Sequence, residues 1–152
     1  MAVAWEALSA SEASAAEVVV RELIEASEDR ERTFLGIASA VEDQELESVL
    51  EHYAGKHSAC ARELREYARG VFQDLPPRKM ASGQFVRVRM SRPSSQASVL
   101  AECILHEDAM LVSYERVLLR DLPADIERTI RRHHALIKEA RTQLAILCSA
   151  VQ

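Results

Sequence analysis

The chain is short of the residues that make turns and of those that favour sheets. Its 152 residues include four glycines and four prolines, and aromatic side chains make up 5%. Sheets need turns between strands and favour aromatic and β-branched residues. A chain poor in both is no β-sandwich, and a parallel α/β sheet is disfavoured. Cysteine is scarce as well. Cys60, Cys103 and Cys148 are far apart, odd in number and without Cys-x-x-Cys or zinc-ribbon spacing. Each falls in a helical pattern, where free cysteine packs as a small apolar group. A reducing, cytoplasmic setting is therefore expected. No run approaches the roughly 18 apolar residues of a membrane span. The first residues carry Glu6 and Glu12 and no early Lys or Arg, unlike a signal peptide.

What is present points to helices. Ala, Leu, Glu and Arg, all good helix formers, dominate the chain. Hydrophobic residues at 48% and charged residues at 28% suit a soluble globular protein. The length fits one domain that can bury a core without a disulfide or zinc staple. The formal net charge of -5 argues against a general nucleic-acid binder. That charge is uneven. Residues 1–70 hold 15 acids against 7 bases, whereas residues 71–95 hold Asp74 against Arg78, Lys79, Arg87, Arg89 and Arg92. This basic segment lies either on the protein's own acidic helices or on an acidic partner, which Arg87 and Arg89 would engage.

Four periodic segments predict helices over 14–41, 44–71, 95–120 and 124–149. They form a domain spanning 14–150, after an N-terminal arm at 1–13. Apolar residues step by three and four in each, as in Val20, Leu23, Phe34 and Ala38 of the first. Asp43 is the expected cap of the second helix, and Leu75-Pro76-Pro77 ends that region. Ser94 or Ser95 caps the third, and Asp121-Leu122-Pro123 precedes the fourth. Gly36 and Gly55 lie inside helical patterns, where they are expected to permit close packing of the first hairpin. The short links at 42–43 and 121–123 imply two antiparallel hairpins. The long crossover at 72–94 allows the third helix to run parallel to the second. The fold class is all-α, a four-helix bundle.

Each apolar stripe is interrupted near its middle by one ionisable residue: Glu31, His57, Glu107 and His133. In a bundle of similar helices these positions share a layer. A buried carboxylate must be paired, protonated or metal-bound. Two readings stay open. One is a metal-free polar layer, in which His57 and His133 pair with carboxylates and have raised pKa values. The other is a single Fe, Zn or Mn ion held by the four side chains. A di-iron centre needs Glu-x-x-His on two helices, and no such pattern occurs; Ala54 and Ile130 stand three before His57 and His133. Asp29, Tyr53, Asp108 and Tyr114 are candidate supporting residues around the layer. No metalloprotease, nucleophile-elbow, dinucleotide or P-loop pattern is present.

Several pieces in order, Asp29-Arg30-Glu31 with Phe34, Tyr53-Ala54, Ala61-Arg62-Glu63-Leu64, Glu107-Asp108-Ala109, Tyr114-Glu115 and Asp121-Leu122-Pro123, carry a resemblance. Over residues 18–148 the chain resembles a bacterial ferritin-like four-helix-bundle family of unknown function. The resemblance implies a ferritin-like bundle with a short helix in the crossover, and supplies no activity. Arg30 and His57 depart from the Gly and the Arg or Gln usual in that family, which places a titratable group where a fixed charge is common. The expectation is a non-enzymatic bundle, stress-associated or a scaffold, without membrane or general nucleic-acid partners and able to pair with a second copy.

Overall fold

The computed structural model describes residues 10–72 and 95–152. The expected crossover from residue 73 onward, including Arg87 and Arg89, and the first nine residues of the expected arm lie outside the described residues. The described residues form four helices: α1 (Ala10–Ala40), α2 (Gln44–Val71), α3 (Gln96–Leu118) and α4 (Ala124–Ala150). No strand occurs among them.

Local chemistry explains the boundaries. The run from Ala10 to Ala16 is mostly alanine and serine with Glu12, and it joins α1, which starts at Ala10 rather than residue 14. The Asp43 side chain accepts the backbone N–H of Leu46 at 2.8 Å, and Glu45 and Glu47 lie in the first turn beside the positive end of the α2 dipole. Ser95 caps α3 through the Ser98 N–H at 3.1 Å. Pro123 precedes α4, whose first turn carries Asp125 and Glu127.

The helices pack as two hairpins, α1 with α2 and α3 with α4. The core divides into two apolar clusters, which also fix the topology. One gathers Val19 to Ile24 of α1, Leu64 to Phe72 of α2, Met110 to Val117 of α3 and Ile126 to Ile137 of α4. The other gathers Phe34 to Ala38, Leu46 to Ala54, Val99 to Cys103 and Ala140 to Cys148. The start of α1 thus shares a pole with the ends of α2 and α3. It follows that α2 and α3 run parallel, across the bundle diagonal, and that α2 ends and α3 begins at opposite poles.

Gly36 and Gly55 do not serve close packing. A methyl group built on either would meet nothing within 4 Å. A helical glycine with open space above it is a flexibility cost without a packing return. Gly55→Ala should therefore raise stability by about 0.5–1 kcal/mol, read as a higher denaturation midpoint at unchanged slope. A lower midpoint would show that position 55 needs its missing side chain.

Candidate functional site

Between the two apolar clusters lies a polar stratum. Helical periodicity turns Ser27 of α1, His57 of α2, Glu107 of α3 and His133 of α4 inward, and all four are buried. His57 and Glu107 are 2% and 0% exposed. Their side chains meet across the diagonal, with His57 Nε2 and Glu107 Oε1 at 2.6 Å. Phe34 stacks on the His57 ring, centroids 5.6 Å apart and planes 13° from parallel. Tyr114 sets its edge toward the His133 ring at 6.4 Å. The Ser27 and Tyr114 hydroxyls face each other without reaching hydrogen-bonding geometry. Burial drives the Tyr114 hydroxyl pKa up, as it does the Cys60 thiol, to about 11, and the Cys103 thiol, to about 12. Both thiols therefore favour the protonated form at neutral pH.

Of the four residues expected to share one centre, only His57 and Glu107 make contact. His133 turns instead to Glu63 of α2, with Nε2 and Oε2 at 2.8 Å, and Arg132 bonds the other Glu63 oxygen. Glu31 is half-buried. Positions 30 and 31 fall on either side of the line from Ser27 to Phe34, so neither points straight at the axis. Arg30 takes the side facing Glu107. Burial lowers its pKa, against the pull of Glu107 and Asp29, and its guanidinium touches His106 Nδ1. The buried acid of α1 is Glu28, held by Arg65 of α2 through bonds of 2.5 and 3.1 Å.

The expected supporting residues divide. Tyr114 lies within the stratum. Tyr53 is buried with its edge against His52 and Lys56 over its ring, and burial raises its pKa. Asp29 is exposed and paired with Arg32. Asp108 pairs with Arg141 of α4 at 2.8 Å, which raises the Arg141 pKa. Sequence reading missed Arg30, Glu63 and the Glu28–Arg65 pair. Glu63 lies six residues from His57, off the stripe that His57 interrupts and on the side of α2 that meets His133 of α4.

Among the described residues, no three His, Cys, Asp or Glu side chains come together as an ion's ligands must. The donors divide into a His57–Glu107 couple and a separate His133–Glu63 couple.

Fold and site together define an all-helical four-helix-bundle protein with a sealed ionisable layer. The chain belongs to the family described as a domain of unknown function, DUF2383, which it matches over residues 15–120. The match takes in most of α1 and all of α2 and α3, with both His57 and Glu107, and ends before α4. No curated protein matches the chain.

The His133 couple titrates with a sign opposite to the expected one. Burial lowers the His133 pKa below its ordinary 6.5, outweighing Glu63. For Glu63 burial pulls upward, but the bonds from Arg132 and His133 win and its pKa falls below the ordinary 4.5. A depressed histidine pKa means that the unfolded chain binds the proton first. Its stabilisation is present above about pH 6.5 and is lost as pH falls through the folded value. Glu63 adds a second loss below its own ordinary value. Denaturant titrations from pH 7.5 to 4 should show stability falling on acidification; His133→Gln should remove its part of the loss below about pH 6.5 and leave the part due to His106, whose pKa burial and Arg30 also lower. Stability rising toward pH 6 would reverse the assignment.

Proposed function

We propose that the chain is a ferritin-like, non-enzymatic scaffold bundle whose His57–Glu107 layer sets helix register. The observation that carries this is the sealing of the pair. The two groups best suited to acid–base chemistry reach each other, with apolar clusters above and below. A catalytic acid or base must reach the proton it moves on a substrate, and at 2% and 0% exposure neither group can. The connectivity supports the ferritin-like reading, since one long crossover between antiparallel hairpins is the arrangement of those folds. In the described residues no helix is long and apolar enough to cross a membrane.

A polar layer in an apolar core acts through specificity. Replacing such a pair by packed hydrophobic residues is often neutral or stabilising, whereas leaving one partner alone is costly. Any slip of α2 against α3 would bury His57 or Glu107 against hydrocarbon, so the pair penalises wrong alignments more than it rewards the right one. Glu107→Leu alone should cost about 2–5 kcal/mol. The double variant His57→Leu/Glu107→Leu should recover most of that loss while its amide NMR spectrum shows more than one helix alignment. A double variant with one sharp, native-like spectrum would overturn the register role.

A further inference from the structure

The face formed by α1 and α3 is complementary to itself. On α1, Val18, Glu22 and Glu25 share one side, stepping by four and three. On α3, Leu105, Val112 and Arg116 share one side, stepping by seven and four. All six are exposed, the three apolar ones at 52%, 68% and 51% in that order. Glu22, Glu25 and Arg116 have no ion pair among the described residues. A groove of about 100 Å³ between the helices brings Glu22 level with Arg116 on opposite walls. One edge of the face is therefore acidic and the other basic at the same height.

We propose that this face is the interface of a two-fold homodimer, with α3 of each copy seated on α1 of the other. A two-fold axis parallel to the helices keeps the height of every residue and exchanges the helices. Arg116 then lies over Glu22 and Glu25 of the second copy, and the symmetry repeats that pairing. Val18, Leu105 and Val112 are covered between the charged edges. Within one chain, α1 and α3 are antiparallel, so the exchanged helices also meet antiparallel. An isologous contact requires a patch that carries both halves of each interaction, and this face does. A different partner would need only one of the two edges.

Sedimentation velocity on the full chain over a range of concentrations tests this. The natural chain should dimerise. Arg116→Glu sets like charges against each other and should weaken the dimer about tenfold or more. Combining it with Glu22→Arg and Glu25→Arg should restore the dimer, since the charges are then exchanged as a set. Val112→Asp should weaken it independently. All these positions are exposed, and unchanged helical circular dichroism confirms that each variant is folded. A chain that stays monomeric up to millimolar concentration overturns the proposal, leaving the face to another partner. A dimer indifferent to Arg116→Glu and Val112→Asp overturns it too, as does a loss that the charge exchange fails to repair.

Discussion

One hydrogen bond, between His57 and Glu107, ties the two hairpins together at the centre of the bundle. Each group alone would be expensive to bury. Together they share one hydrogen bond at 2.6 Å, which leaves His57 Nδ1 and Glu107 Oε2 buried without a partner among the described residues, and Phe34 covers the imidazole face. The clusters on either side supply most of the cohesion, because burial of apolar surface is proportional to area and indifferent to exact position. Direction enters only with the polar stratum. Sliding α2 by one turn leaves the apolar sum nearly unchanged but separates the couple. The same reasoning explains why the neighbouring cation, Arg30, lies at the boundary. From there it reaches Glu107 with its charge while part of the side chain keeps contact with water.

The remaining cross-hairpin contacts are graded by depth. His133–Glu63 joins a buried ring to a partly exposed acid, and Tyr67 donates to Asp125 at 2.9 Å near the pole where α2 ends. Further out are exposed ion pairs such as Arg132–Glu63, which contribute little individually. Most close packing is within each hairpin, between helices adjacent in the chain. Such local contacts form quickly, which makes the diagonal couple the natural check on how two completed hairpins dock.

The helical count, the caps at Asp43 and Ser95 and the stop before Pro123 were legible because each rests on local chemistry. His57, Glu107 and His133 were legible as breaks in otherwise apolar stripes. Glu31 was not, because a period of 3.6 leaves residues 30 and 31 astride the inward line. Only the neighbouring helices decide which of them faces the core. Glu63 was missed because it belongs to no stripe and reaches inward from a rim position to meet a ring on another helix. The direction of the His133 pKa depends on a contest between burial and one half-exposed partner, and no one-dimensional pattern weighs those two. The glycines misled for the reverse reason: a gap in a pattern looks like a tight contact until the space above it is seen.

Because α2 and α3 run the same way, the start of α1 and the end of α4 lie at opposite poles of the bundle. A pulling force applied between those two points acts along the helix axes. It loads the interhelical packing in shear, so that many side-chain contacts resist at once. Had the helices simply alternated in direction, both ends would emerge at one pole and a pull would peel the outer helices away one turn at a time. The parallel run of α2 and α3 thus gives a small bundle the mechanics of a strut.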